Sequence, residues 1–205
     1  MGRVDAIVLA GGRAVRLGGV AKPALAGADG RTTLRRALDA CADVGVERVV
    51  VVGPPDDLAG LLGPYAARVT VVQEDPPWSG PARAIAAGVA ALAGDAGGAT
   101  LVLACDVADV AAGVRALVAA GLDREGVIAN AGGRRQWLLG MYRQAELAAA
   151  CARLPRPAAG VRDPSAWELL GDLDLVDVTL PDGVADDLDT PADLDRLGFS
   201  GPHAV

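Results

Sequence analysis

Short apolar runs recur along the chain, and segments with apolar residues at helical spacing separate most of them. The runs are rich in valine, leucine, isoleucine and alanine, and they lie at residues 4–9, 48–52, 69–73, 100–104 and 126–130. Continuous apolar runs of this length are typical of strands that are buried on both faces of a parallel sheet. The intervening segments 34–41, 56–62, 81–92 and 110–120 favour helices. This alternation predicts an α/β fold.

The C-terminal third adds a different pattern. Residues 131–136 indicate a hairpin-like turn that leads into a strand over residues 137–142. Helices are predicted over residues 144–153 and 161–170, and alternating polar and apolar residues at 174–179 predict an outer strand. Thr190, Pro191 and Asp193 form the pattern of a helix start, in which the threonine caps the helix and Asp193 completes a capping box. We therefore predict one domain over residues 1–198 and a C-terminal tail over residues 199–205.

Composition and charge exclude several classes of function. The length of 205 residues suits one well-packed domain. The net charge of −7 argues against a nucleic-acid partner or an anionic membrane, because such surfaces select an excess of lysine and arginine. No apolar run approaches transmembrane length, the N-terminus lacks a signal-peptide pattern, and the three scattered cysteines indicate neither a disulfide framework nor a zinc site. We expect a cytoplasmic protein with no membrane partner.

A glycine-rich loop over residues 9–25 follows the first predicted strand. Its glycines leave backbone amides uncovered, and Arg13, Arg16 and Lys22 supply positive charge. Uncovered amides in turns, together with guanidinium and ammonium groups, suit a polyphosphate. The loop is not a P-loop, because Lys22 is followed by Pro23 rather than by serine or threonine. A solvated loop with ordinary surface arginines is the alternative interpretation.

Asp106 is the second candidate for chemistry. It follows the predicted strand 100–104, which delivers it to the same edge of the sheet as the glycine loop. Mg²⁺ is usually held by one or two carboxylates together with substrate phosphates, so a single aspartate at a strand end can anchor the ion. The alternative is that Asp106 caps the helix predicted over residues 110–120.

The glycine loop carries a resemblance to a known family. It reads Leu-Ala-Gly-Gly-Arg from Leu9, and Arg16 and Lys22-Pro23 follow. This pattern resembles the signature of the MobA-like nucleotidyltransferases, which include the molybdenum cofactor guanylyltransferases. The resemblance implies a three-layer, Rossmann-like nucleotidyltransferase fold with a mostly parallel sheet and an antiparallel strand. It also implies that GMP moves from GTP to a phosphorylated acceptor, most simply molybdopterin, with release of pyrophosphate.

The resemblance assigns roles to individual residues. Arg16, Lys22 and Asp106 would be catalytic, and Asp106 and Asp189 would hold the expected cofactor, Mg²⁺. The residues implied to bind the nucleotide lie in the glycine loop and after the third predicted strand: Leu9, Ala10, Gly11, Gly12, Arg13, Lys22, Asp75 and Gly80.

Departures from the family pattern keep two alternatives open. Val107 and Ala108 replace the usual proline after Asp106, and the acidic Asp187 and Asp189 resemble the cytidylyl branch. A cytidylyl or other nucleotidyl transferase with a different phosphorylated acceptor is therefore one alternative. A nonenzymatic nucleotide-binding relative is the other.

Overall fold

The computed structural model describes residues 2–11, 20–92, 97–157 and 162–201, and most of its strands belong to one mixed sheet. The strands are β1 Val4–Leu9, β2 Ala26–Gly27, β3 Val49–Val52, β4 Val69–Val72, β5 Ala99–Ala104, β6 Gly126–Ala131, β7 Arg134–Arg143, β8 Leu175–Thr179 and β9 Phe199–Ser200. The helices are α1 Thr33–Asp43, α2 Pro55–Leu58, α3 Gly80–Ala91, α4 Val110–Ala120, α5 Gln144–Ala152, α6 Ala166–Leu170 and α7 Pro191–Leu197.

The main sheet has the strand order β4-β3-β1-β5-β7-β6-β8. Strand β7 runs antiparallel to both β5 and β6, while the other pairs in this sheet are parallel. The predicted α/β, three-layer, Rossmann-like fold with a mostly parallel sheet and an antiparallel strand is confirmed.

Both faces of the sheet are buried, as the continuous apolar runs predict. In β1, Ala6 and Val8 pack into a cluster with α1, α2 and α4, whereas Ile7 and Leu9 pack into a second cluster with α3, α5 and α6. Successive side chains of a strand point to opposite faces, so one unbroken apolar strand serves both helical layers.

The hairpin between β6 and β7 is tighter than the sequence indicated. Gly132 and Gly133 have φ values of 57° and 76°, and Ala131 pairs with Arg134 directly across them. Glycine adopts these left-handed conformations without the penalty that a side chain would impose. The turn therefore needs only two residues, and β7 begins at Arg134 rather than at the predicted Trp137.

The helix before β8 is shorter than predicted. It begins at Ala166, and residues 162–165 precede it without helical structure. Ser165 and Glu168 form a capping box that satisfies backbone amides at the first turn, which fixes the start of α6 after Pro164.

A small second sheet joins two distant parts of the chain. Strand β2 pairs antiparallel with β9, and Leu25, Leu188 and Phe199 form a separate buried cluster beside it. Phe199 and Ser200, the first residues of the predicted tail, thus belong to this sheet. Among the described residues, no helix combines the length and apolar character needed to cross a membrane.

Candidate active site

The carboxyl ends of β1, β3 and β5 meet at one edge of the main sheet. The register places Leu9 beside both Val52 and Ala104. The amide of Cys105 donates a hydrogen bond to the carbonyl of Leu9 at 3.1 Å, so the residues after β5 lie against the start of the glycine loop. Ligands in open α/β sheets bind at such an edge.

The start of the glycine loop also lies against the end of β3. A Cβ atom on Gly53 would stand 3.0 Å from both the carbonyl carbon of Ala10 and the amide nitrogen of Gly11. That separation is too short for an ordinary contact, so the absence of a side chain at Gly53 lets the two backbones approach. The position of Ala10 and Gly11 is therefore set by backbone packing.

Lys22 lies between two carboxylates at this edge. Its Nζ atom donates a hydrogen bond to Oδ2 of Asp106 at 2.6 Å and a second, shorter hydrogen bond to Oδ1 of Asp189. The hydroxyl of Thr33, in the first turn of α1, donates to the Lys22 carbonyl at 2.6 Å. The backbone of Lys22 is thus held by α1 while its ammonium group bridges Asp106 and Asp189.

The surroundings of Lys22 keep its ammonium group charged. Partial burial lowers the pKa of Lys22, but the charge and hydrogen bond of Asp106, followed by those of Asp189, raise the pKa above its ordinary value. The side chains of Lys22 and Asp106 are 24% and 15% exposed, so this pair is less screened by water than a surface ion pair.

Asp106 does not cap the helix that follows it. Asp109 is the N-cap of α4, and its side chain accepts a hydrogen bond from the amide of Ala112 at 3.0 Å. The alternative role considered for Asp106 is therefore filled by Asp109. The carboxylate of Asp106 faces Lys22 instead.

Residues 187–189, which precede α7, form an acidic segment. Together with Asp106, the carboxylates of Asp187 and Asp189 make up the acidic wall of the site. The carbonyl of Asp106 accepts a hydrogen bond from the amide of Leu188 at 3.2 Å, and the Leu188 side chain is fully buried in the cluster with Phe199. Thr190 caps α7 and forms the predicted capping box with Asp193. Asp187 and Asp189 thus flank an anchored residue, and this anchor fixes the segment that carries them.

Burial and neighbouring charges shift the pKa of Asp187. Although Asp187 keeps an exposed surface, burial around its carboxyl group raises its pKa to about 6, and the negative charges of Asp106 and Asp189 add to the effect. Three carboxylates and one ammonium group therefore leave the site rich in negative charge, which favours a further cation.

Two open chambers meet at Lys22 and Asp106. The first chamber, of about 410 Å³, is lined by the end of β1 and the residues after it, by the segment after β4 and by the start of α3, including Leu9, Ala10, Gly11, Glu74, Trp78 and Gly80. The second chamber, of about 390 Å³, is lined by β7, α6 and the acidic segment, including Arg135, Trp137, Trp167, Asp187 and Asp189. Lys22, Ala104, Asp106 and Leu138 line both, so they form a shared wall.

The structure brings most of the candidate residues to these chambers. Asp75 is the exception, because it is exposed and does not line the first chamber, whereas its neighbour Glu74 is buried and does. Gly12, Arg13 and Arg16 lie outside the described residues.

Several residues that line the chambers were not predicted from the sequence. Glu74 and Trp78 stand after the third predicted strand, a position that signals ligand contact, but their residue types alone did not separate them from Asp75. Trp137 and Trp167 gave no signal, because nothing local to either residue shows that both line the second chamber.

The acidic wall fits a divalent cation bound together with a ligand. Within the described ranges, no three histidine, cysteine, aspartate or glutamate side chains are grouped to hold a metal ion. Asp106 and Asp189 nevertheless converge on one positive charge, the ammonium of Lys22. Two carboxylates and the oxygens of a phosphate are the donor set that Mg²⁺ prefers.

Comparison with known sequences identifies the family. The model of the MobA-like NTP transferase domain matches residues 6–173. The chain belongs to the MobA-like NTP transferase family. It is a nucleotidyltransferase, as the glycine loop predicted. No curated protein matches the sequence.

Solved structures share the fold. Rv0371c from Mycobacterium tuberculosis H37Rv is 22% identical, with a TM-score of 0.72 over 96% of this chain and 98% of that chain. A nucleotidyl transferase from Methanothermobacter thermautotrophicus is 20% identical, with a TM-score of 0.72 over 97% of each chain. A manganese complex of Rv0371c is 19% identical, with a TM-score of 0.69 over 96% of this chain and 98% of that chain.

Proposed function

We propose that the protein transfers GMP from GTP to the phosphate of molybdopterin in a Mg²⁺-dependent reaction that releases pyrophosphate. The observation that carries this proposal is the shared wall, where Lys22 and Asp106 border two chambers. A transferase needs a donor and an acceptor to meet at one charged group, and the two chambers meet at these residues. The resemblance of the glycine loop to molybdenum cofactor guanylyltransferases supports molybdopterin as the acceptor.

In this proposal the first chamber binds the nucleotide and the second chamber binds the acceptor. An oxygen of the acceptor phosphate attacks the α-phosphorus of GTP, a new phosphorus–oxygen bond forms, and the bond to the bridging oxygen of the β-phosphate breaks. The electron pair leaves with pyrophosphate. Such transfers are catalysed mainly by positioning and by stabilisation of charge, so the chain needs no nucleophile of its own.

Asp106 and Asp189 would hold the Mg²⁺ ion, which neutralises phosphate charge when it is bound. Lys22 now lies between these two carboxylates. If a divalent cation took this place, the ammonium group would turn away from the two carboxylates, and a bound triphosphate would offer it another anion. We therefore assign two roles to Lys22: it balances the acidic pair in the free protein and contacts phosphate in the complex.

The experiment that tests the proposal measures pyrophosphate release with GTP, Mg²⁺ and molybdopterin. Asp106→Ala should abolish release, because it removes the carboxylate at the shared wall. Asp109→Ala is the matched control, since Asp109 caps α4 and its loss costs about 1 kcal/mol of stability without touching either chamber. Full activity in Asp106→Ala would contradict the role of this residue.

A cytidylyl transferase is the second candidate. The acidic pair Asp187 and Asp189 favours it, because the guanine-using branch often has asparagines at the corresponding positions. Thermal-shift measurements with GTP, CTP, ATP and UTP separate the two candidates, since a ligand that binds only the native state raises the apparent stability. We expect the largest thermal shift with GTP.

We also propose a cytoplasmic location, in which the free thiols of Cys41, Cys105 and Cys151 stay reduced.

A further inference from the structure

Glu74 is a buried carboxylate with acceptor capacity to spare. The residue is 8% exposed, follows β4 by two positions, and lines the first chamber. Its Oε1 atom accepts a hydrogen bond from the amide of Trp78 at 2.8 Å. Among the described residues, the Glu74 carboxylate accepts this one hydrogen bond. An ionised carboxylate can accept about four. A ligand in this chamber therefore meets an acceptor that is already oriented.

The position of Glu74 within the chamber assigns it to one end of the ligand. Lys22 and Asp106 line both chambers, whereas Glu74 and Trp78 line the first chamber alone. In the proposed function the phosphates lie at the shared wall, because the reaction takes place there. The base of the nucleotide then lies toward Glu74 and Trp78.

Trp78 adds a surface on which a flat ring can stack. Its side chain is 49% exposed at the rim of the first chamber, and its backbone has a φ of 59°, a left-handed conformation that is rare for a residue with a side chain. The amide that Glu74 accepts belongs to this same residue. One local conformation thus fixes both the carboxylate and the position from which the indole projects. Stacking on an aromatic ring is tolerant of base identity, so it does not itself select a base.

The carboxylate of Glu74 can make the selection. Guanine presents two neighbouring donors, N1–H and the N2 amino group, which match the two oxygens of a carboxylate. Adenine and cytosine place one amino donor next to a ring nitrogen that is an acceptor, and uracil places its single donor between two carbonyls. A carboxylate that meets any of these three bases faces at least one acceptor, and a buried charged group left without a donor is costly.

We propose that Glu74 is the residue that selects guanine, by accepting hydrogen bonds from N1–H and from the N2 amino group, while Trp78 stacks on the ring. This inference rests on the proposed function, in which a nucleoside triphosphate occupies the first chamber. It also replaces Asp75, the neighbouring acid, as the carboxylate that meets the nucleotide.

The test compares the binding of GTP with that of ITP, which differs from GTP only by lacking the N2 amino group. Affinities are measured by isothermal titration with Mg²⁺ and without acceptor, so they do not depend on turnover. We expect the wild-type protein to bind GTP on the order of 10- to 100-fold more tightly than ITP. Glu74→Gln should reduce this ratio at least about tenfold, because an amide presents a donor where one carboxylate oxygen was.

The matched control is Asp75→Asn, which changes the adjacent exposed carboxylate in the same way. It should leave the ratio of GTP to ITP affinity unchanged. The glutamine in Glu74→Gln retains an oxygen that can accept the Trp78 amide, and unchanged thermal unfolding of the free variant checks that the loop is intact.

Three results would overturn the assignment of Glu74: equal binding of GTP and ITP by the wild-type protein, an unchanged ratio in Glu74→Gln, or a loss of the ratio in Asp75→Asn. The first result uses no variant, so it holds even if Glu74→Gln does not fold. Any of these three results would contradict the role of Glu74 without contradicting the proposed nucleotidyl transfer, because pyrophosphate release is measured separately. Absence of transfer with every acceptor, in a protein that still prefers GTP through Glu74, would instead count against the proposed function alone.

Discussion

Replacement of Lys22 by glutamine should make the free protein bind a divalent cation more tightly. In the structure the ammonium group of Lys22 lies between Asp106 and Asp189, the two carboxylates that we propose for the metal. A metal ion that binds in the absence of nucleotide must displace this ammonium group. Lys22→Gln removes the competing charge and leaves the two carboxylates without their cation.

The size of the effect follows from the exposure of the two ion pairs. The side chain of Asp106 is 15% exposed and that of Asp189 is 41% exposed, so the second pair is well screened by water. An exposed ion pair contributes up to about 1 kcal/mol, and the pair with the less exposed Asp106 contributes at least that much. Their combined loss of about 2 kcal/mol corresponds to roughly 30-fold tighter metal binding.

The assay is a titration of the nucleotide-free protein with Mn²⁺, in which the free ion is followed by electron paramagnetic resonance. Lys22→Arg is the control that keeps the positive charge, and it should bind Mn²⁺ about as weakly as the wild-type protein. The effect on GTP binding should be opposite to the effect on Mn²⁺ binding. Lys22→Gln loses a phosphate contact and should therefore bind GTP at least about tenfold more weakly than the wild-type protein. Mn²⁺ binding that is unchanged or weaker in nucleotide-free Lys22→Gln would refute the reasoning.

Three further predictions concern the scaffold. Gly88→Ala should lower the free energy of unfolding by about 1–3 kcal/mol in urea titrations, because its Cβ would stand 2.6 Å from Cγ2 of the buried Ile7; an increase in stability would show that helix propensity dominates. Phe199→Ala should lower the free energy of unfolding by about 3 kcal/mol. It should also lower kcat more than it raises KM for GTP, because the acidic segment before α7 loses its anchor. Unchanged kinetics would show that the cluster of Leu25, Leu188 and Phe199 does not position the site. A hydrogen bond from Arg162, together with those from Ser165, lowers the pKa of Glu168 to about 2. The stabilising contribution of Glu168 is therefore present above its ordinary pKa of 4.5 and is lost as the pH falls towards 2. The difference in melting temperature between the wild-type protein and Glu168→Gln should shrink over that range.

The strands of the parallel part of the sheet were predictable because burial on both faces leaves an unbroken apolar run. The valine run that ends at Val52 is an example, and both helical layers pack against its alternating side chains. The family was predictable for another reason: the residue types of the glycine loop form a recognisable signature even when the fold is unknown. The location of Asp106 at the edge of the sheet was predictable because the residue follows one of these apolar strands.

The remaining features depend on contacts that no local pattern contains. Lys22 is 84 residues from Asp106 and 167 residues from Asp189 along the chain, so their meeting is set by the packing of whole elements. The choice between Glu74 and Asp75 depends on which of two adjacent acids turns inward after β4. Glu74 turns inward and accepts a hydrogen bond from the amide of Trp78, whose left-handed conformation is not a preference of tryptophan.

Labelled GTP tests most directly whether the protein transfers GMP from GTP to molybdopterin, as we propose. The protein is incubated with Mg²⁺ and molybdopterin, and with GTP that carries radioactive phosphorus at either the α or the γ position. We predict that the α label appears in a molybdopterin guanine dinucleotide and that the γ label appears in an equal amount of pyrophosphate. Release of the γ label as orthophosphate, or an absence of any acceptor-linked α label, would contradict the account.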